Sequence, residues 1–148
     1  MRQSSLNYHE RSDTARVIAH HAEAARSRRD EQRRRTLNAS VSLRDAASIT
    51  GSSEAHLHRL VAAGDALAVS ADNRLLLPEW QLRQNALSPV VKGIRRLADS
   101  FPGDAAALHC WATRAHPDLR GASPAQALQD DRSDIVISLA RAIGAAGR

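Results

Sequence analysis

The chain is predicted to be mainly α-helical, with an N-terminal helical arm, a helix-turn-helix carrying a small two-stranded wing, and a C-terminal helical bundle. Three observations predict this fold class. A leading segment lacks Pro and Gly, a glycine turn separates two short helical segments mid-chain, and apolar residues recur every three or four positions near the end. We assign residues 1–38 to the arm, 39–86 to the winged unit and 87–148 to the bundle.

The arm is predicted to be helical from about Ser12 to Arg35, with Asp13 able to cap its start. It carries a thin apolar stripe: Val17, Ile18, His21, Ala22 and Ala25. Residues 1–36 hold nine Arg against five acidic residues, so most of the formal net charge of +5 lies here. The basic run at 26–35 is able to contact nucleic-acid phosphates, but a solvated helix face explains it equally well. A third interpretation is that the stripe pairs two arms in a dimer.

The middle segment has the spacing of a helix-turn-helix. Ala47 is a small residue where the two helices would touch, and Gly51, four residues later, is free to adopt a positive φ in the turn. Leu57 and Leu60 then hold the second helix against the core, and Gly64 ends it. This pattern predicts one helix on each side of Gly51.

Polar residues mark the expected start of each short helix. Ser42 is placed to cap the first helix of the pair, and either Ser52 or Ser53 is placed to cap the second. Farther along, Asp104 precedes an apolar periodic segment, and Ser123 precedes a proline and a capping-box glutamine. These caps set the predicted helix boundaries.

A wing is predicted directly after the second helix. Residues 67–70 and 74–77 are apolar segments that flank a turn at 71–73, which is the pattern of a two-stranded hairpin. Trp80 follows and is expected to fill the core.

Four helices are predicted for the bundle. The first runs from Ser88 to Phe101, and the second begins after Asp104 and ends near His116, ahead of a proline. The third begins at Pro124, and the last contains an apolar series that reaches Ile143. We expect these helices to share one small core.

The winged segment resembles the excisionase or MerR-like winged helix-turn-helix, and its ending Arg74-Leu75-x-x-Pro78-x-Trp80-Gln81 is similar to those that precede a toxin-binding module in some antitoxins. The resemblance implies DNA contacts by six residues: Ser53, Glu54, His56, His58, Arg59 and Arg74. Residues 41–64 have no net charge if the histidines are neutral, so one copy is expected to bind DNA weakly. A helix-turn-helix that serves only as a scaffold or dimerisation unit is the alternative.

The C-terminal segment is similar to the toxin-binding domain of the MbcA/ParS/Xre antitoxins. The resemblance rests on the ordered motifs Leu108-x-x-Trp111, Pro117-x-Leu119-x-Gly121, Ser123-Pro124-x-x-x-Leu128 and Val136-x-x-Leu139-Ala140. It implies that the last helix and tail occlude the NAD cleft of a toxin of the RES-domain class, which consumes NAD. The residues implied in toxin binding are Trp111, Leu119, Pro124, Leu128, Leu139, Arg141, Ile143, Gly144 and Arg148.

Together the resemblances imply an antitoxin of a type II toxin-antitoxin system that also represses its own operon. Its expected partners are the RES-type toxin encoded by the adjacent gene and operator DNA, in a homodimer or a toxin-antitoxin hetero-oligomer. The alternative is a stand-alone MerR or excisionase-like DNA-binding transcription regulator whose C-terminal module only dimerises. An adaptor that does not bind DNA is a third possibility.

No catalytic constellation is evident in the sequence. The seven histidines are scattered, the single cysteine, Cys110, cannot form an intramolecular disulfide, and no glycine-rich phosphate loop or metal-ligand spacing is found. We therefore expect a protein that is not an enzyme and that has no metal and no cofactor. The chain also lacks a long apolar segment and a signal peptide, so a cytoplasmic location without membrane association is expected.

Overall fold

A computed structural model describes residues 2–84 and 87–146, and it describes the side chains of this part from residue 9 onward. The protein is mainly helical with a small antiparallel sheet, as predicted. The helices and strands are α1 Arg2–Asn38, β1 Ser40–Ser42, α2 Leu43–Thr50, α3 Glu54–Ala63, β2 Val69–Ala71, β3 Arg74–Pro78, α4 Ile94–Ser100, α5 Ala105–Ala112, α6 Pro124–Gln129 and α7 Ser133–Ala146. Short 3-10 turns lie at Glu79–Gln81 and Pro117–Leu119.

The sheet has three strands where the sequence predicted two. The β2–β3 hairpin is present, but β1 pairs with the other edge of β3, giving the order β1-β3-β2. Val41 lies opposite Leu77 in this pairing. A three-residue strand has too little alternation to be visible in a sequence, and β1 follows directly on α1, which explains why it was missed.

Helices α2 and α3 form where the helix-turn-helix spacing placed them. The Ser42 hydroxyl accepts a hydrogen bond from the Asp45 N–H at 3.1 Å, and the Ser53 hydroxyl accepts one from the His56 N–H at 3.1 Å. Gly51 ends α2 with φ of 73°, in the left-handed region that favours glycine. Ser53, and not Ser52, therefore caps α3.

The predicted helix from Ser88 to Phe101 is shorter than expected, because α4 begins only at Ile94. The residues before it pair with the preceding segment: Val90 forms an isolated antiparallel bridge with Leu82, and the Val91 N–H donates to the Gln81 carbonyl at 2.9 Å. Gly93 then turns the chain with φ of 92°. The apolar residues of the predicted helix are still buried: Val90 and Val91 lie in an extended segment, and Ile94 and Leu97 lie in α4.

The C-terminal helices pack as a bundle in which α7 contacts α4 and α6. Both hydrogen bonds of the predicted capping box are formed: the Gln126 N–H donates to the Ser123 hydroxyl, and the Ser123 N–H donates to the Gln126 side chain. Helix α5 ends at Ala112, earlier than the predicted end near His116. His116 is extended before Pro117 and caps the 3-10 turn that follows.

Helix α1 is longer than the predicted segment, and Asp13 lies inside it rather than at its start. The last turns of α1 pack against α5. Thr36 is fully buried. Its hydroxyl donates to the Gln32 carbonyl at 2.8 Å and lies 3.4 Å from the Ala106 carbonyl of α5, while the Cys110 thiol contacts the Gln32 carbonyl at 3.8 Å. This packing was not predicted, because the contact uses polar groups and backbone carbonyls instead of an apolar stripe.

One buried cluster runs through the winged segment and the bundle. It includes Leu57 and Leu77 from the first and Leu97, Leu128 and Val136 from the second. The proposed boundary between residues 86 and 87 stays a prediction. Within the described residues, no helix is long and apolar enough to cross a membrane.

Candidate DNA-binding and partner-binding surfaces

The exposed face of α3 carries most of the predicted DNA-binding residues. Ser53, Glu54, His58 and Arg59 are exposed, while His56 is half-buried. The face exists because Leu57 and the neighbouring apolar residues turn the opposite side of α3 into the core. It presents hydrogen-bond donors and one carboxylate to solvent.

Arg74, the remaining DNA-binding prediction, begins β3 and lies close to the start of α3. Glu54 and Arg74 line the same shallow cleft of about 250 Å³, together with Arg44. The cleft thus holds two guanidinium groups and one carboxylate. Arg44 was not singled out from the sequence, because only the fold brings the start of α2 to the hairpin.

The basic segment of α1 lies beside the hairpin. The Arg33 guanidinium donates a hydrogen bond to the Ser70 carbonyl of β2. Arg34 and Arg35 both pair with the Glu31 carboxylate, Arg35 at 3.1 Å. Part of the positive charge of the arm is therefore balanced within the helix, and part of it is fixed near the sheet.

The predicted toxin-binding residues fall into two groups. Leu119, Pro124 and Leu128 are buried, and Trp111 and Leu139 are half-buried. These five residues hold the bundle in shape, and little of their surface is accessible to a partner. Accessible surface comes instead from the end of α7.

The end of α7 is the exposed part of the predicted toxin-binding surface. Arg141 is exposed, Ile143 is 37% exposed and Gly144 is half-buried. Arg148 lies outside the described residues. The helix is held to the bundle on its other side by Val136 and Ala140, which are fully buried.

A groove of about 510 Å³ lies between Trp80 and α6, and the sequence did not predict it. Ala122 and Ala125 form its apolar floor with Trp80, and Gln129 donates to the Trp80 carbonyl at 2.7 Å. Trp80 was expected to fill the core; it packs against the buried cluster, but it is itself only half-buried. The exposed part of Trp80 makes this groove a second accessible surface on the bundle.

Two histidine side chains in the described part of the chain accept specific hydrogen bonds. Burial lowers the pKa of His109, whose Nδ1 accepts a hydrogen bond from the Trp80 indole at 3.0 Å. His116 also uses Nδ1, which accepts from the Asp118 N–H at 3.1 Å. Among residues 2–84 and 87–146, no group of three or more His, Cys, Asp or Glu could hold a metal ion.

Comparisons of the chain with protein-family models, curated proteins and solved structures give no match.

Proposed function

We propose that this chain is an antitoxin that binds and occludes an NAD-consuming toxin of the RES-domain class and represses its own operon through α2 and α3. The observation that carries the DNA-binding half is the α2–Gly51–α3 arrangement, with an exposed α3 face beside the hairpin that holds Arg74. The toxin-binding half rests on the motif order of the C-terminal segment, and the helix caps at Asp104 and Ser123 support it.

In this proposal α3 enters the major groove of the operator. His58 and Arg59 supply hydrogen-bond donors to base edges, Glu54 accepts from a cytosine amino group, and Arg74 on the hairpin contacts a phosphate. Because the Glu54 carboxylate repels the phosphate backbone, a single copy binds weakly. Binding two half-sites as a dimer raises the affinity.

Neutralisation of the toxin depends on the end of α7. Helices α4 and α6 pack against α7 and hold it in one position, so that its end enters the NAD cleft without a large loss of conformational entropy. Arg141 and Ile143 then supply a cationic and an apolar contact. Occlusion of the cleft excludes NAD and stops its consumption.

The DNA-binding half is tested by measuring affinity for the chain's own promoter at several salt concentrations. Arg59→Ala and Arg74→Ala are each expected to weaken binding by roughly tenfold, and Arg74→Ala also lowers the salt slope by about 1. Arg132→Ala is the matched control, since Arg132 is exposed and distant in sequence from α3. Equal affinities for all three variants and the native chain would contradict the proposal.

A stand-alone DNA-binding regulator is the second candidate, and one observation favours it. The buried cluster is continuous from the winged segment into the bundle, so the bundle is able to serve simply as the rest of the core. This candidate predicts specific DNA binding with no toxin partner, whereas the antitoxin proposal requires both activities.

A further inference from the structure

Three arginines line a shallow cleft where α1 passes the end of α5. Arg28 and Arg35 come from α1, and Arg114 follows the last turn of α5. The cleft has a volume of about 310 Å³, and its remaining lining residues are Ser27, Glu31 and Gln32. Only the fold brings Arg114 to the basic segment of α1, because the two elements are far apart in the sequence.

The packing of α1 on α5 fixes the positions of these arginines. Arg28 and Arg35 are seven residues apart, which is about two turns of an α-helix, so they lie on the same side of α1. The Gln32 carbonyl between them contacts the Cys110 thiol of α5 at 3.8 Å. The Arg114 N–H donates to the Trp111 carbonyl at 3.3 Å, which holds the start of its side chain at the end of α5.

The charge in the cleft is not balanced by its own residues. The Glu31 carboxylate accepts from Arg35 at 3.1 Å and also pairs with Arg34, so it is shared between two guanidinium groups. Among the described residues, neither Arg28 nor Arg114 forms an ion pair. Such a surface attracts anions, and the guanidinium group matches the oxygens of a phosphate better than any other side chain.

We propose that this cleft binds the phosphate backbone of duplex DNA without regard to sequence. Its open shape and polar lining fit a backbone phosphate better than a small ligand, which is usually enclosed among apolar groups. The positive charge also continues along α1, since residues 24–35 carry six Arg against two carboxylates. The choice of DNA over RNA rests on the DNA-binding half of the proposed function.

The cleft is separate from the surface that α3 presents. Arg35 lines the cleft, whereas Arg33, about 200° away round the helix, donates to the Ser70 carbonyl of β2. Helix α1 therefore lies between the cleft and the hairpin. The cleft contact adds an electrostatic affinity that does not depend on the bases contacted by α3.

The site is tested by fluorescence anisotropy of the full chain with a duplex of unrelated sequence at several salt concentrations, without operator or toxin. Arg28→Ala and Arg114→Ala are each expected to lower the salt slope by about 0.9 and to weaken binding roughly eightfold at about 0.1 M salt. Arg132→Ala, at an exposed position outside the cleft, is the control for Arg114. Arg16→Ala, exposed on α1 about 18 Å before Arg28, is the control on the helix. Circular dichroism checks that each variant folds.

Arg114 distinguishes the cleft from a basic helix that binds DNA by itself. A loss of affinity in Arg28→Ala with none in Arg114→Ala would overturn the cleft, and so would losses no larger than those of the two controls. Losses seen with an RNA duplex but not with DNA would overturn the choice of nucleic acid. Arg59→Ala, measured on the chain's own promoter, tests the proposed function separately, since a failure there leaves the result with the unrelated duplex unchanged.

Discussion

The indole Nε1 of Trp80 donates a hydrogen bond to Nδ1 of His109 at 3.0 Å. This contact joins the segment that follows the sheet to α5, and it requires a neutral His109. Burial also disfavours the charged imidazole, so the pKa of His109 is lowered from its ordinary value of 6.5. The stability of the fold is therefore coupled to proton binding at the buried side chain of His109.

The His109 contact predicts a loss of stability in acid. Because the folded state holds the pKa of His109 below 6.5, the unfolded chain binds this proton first as the pH falls. Stability should be highest above about pH 6.5 and should decrease below it. Urea unfolding at pH 8 and pH 5 measures the effect, and His109→Gln is expected to reduce the pH dependence while His58→Gln, at an exposed site, leaves it unchanged. An identical pH dependence in the native chain and His109→Gln would refute the assignment.

Gln81 is predicted to be a major stabilising residue. Its fully buried side chain accepts from the Leu67 N–H and donates to the Leu67 carbonyl, both at 2.7 Å. Gln81→Leu leaves two buried backbone groups without partners and should lower the free energy of unfolding by about 2–3 kcal/mol. Gln84→Leu, at an exposed position, should change it by less than about 0.5 kcal/mol. Similar losses in the two variants would argue against this role.

Alanine substitutions at Gly93 and Gly121 distinguish the cost of backbone strain from the cost of a steric clash. Both have positive φ, 92° and 84°, but a Cβ at Gly93 would lie 2.9 Å from the Ser133 Cβ, whereas one at Gly121 would meet nothing within 4 Å. Gly121→Ala should cost about 1–2 kcal/mol from strain alone. Gly93→Ala should cost at least about 1 kcal/mol more, since α7 must move. Equal melting temperatures of the two variants would contradict the close approach of Gly93 to α7.

The end of α7 is predicted to be essential for toxin neutralisation and dispensable for DNA binding. Deletion of residues 141–148 should abolish protection of cellular NAD. Ile143→Asp, on an exposed part of α7, should weaken protection, while Ser138→Asp, also exposed on α7, should not. Promoter affinity measured on the same proteins controls for folding. Full protection by the truncated chain would exclude occlusion by the tail.

Local rules predicted much of the fold. Ser42, Ser53, Asp104 and Ser123 all cap helices, because a capping contact spans only two or three residues and is visible in the sequence. The turn at Gly51 was predictable for the same reason. These features set the boundaries of α2, α3, α5 and α6.

Contacts between distant segments were not predictable. The predicted start of α4 was wrong because Val90 pairs with Leu82 instead of joining the helix. Strand β1 was not predicted because its pairing partner β3 lies more than thirty residues away. The cleft that joins Arg44 to Arg74 depends on that same pairing. In α1 the visible apolar stripe is exposed, while the packed turns use Gln32 and Thr36, so periodicity indicated the wrong part of the helix.

The most direct test of the proposed function is co-expression of the chain with the product of the adjacent gene. The antitoxin proposal predicts that the two proteins co-purify, and that cellular NAD falls when the chain is omitted and is preserved when it is present. Absence of a complex, with NAD unchanged in both cultures, would contradict it and would leave the stand-alone regulator as the better account.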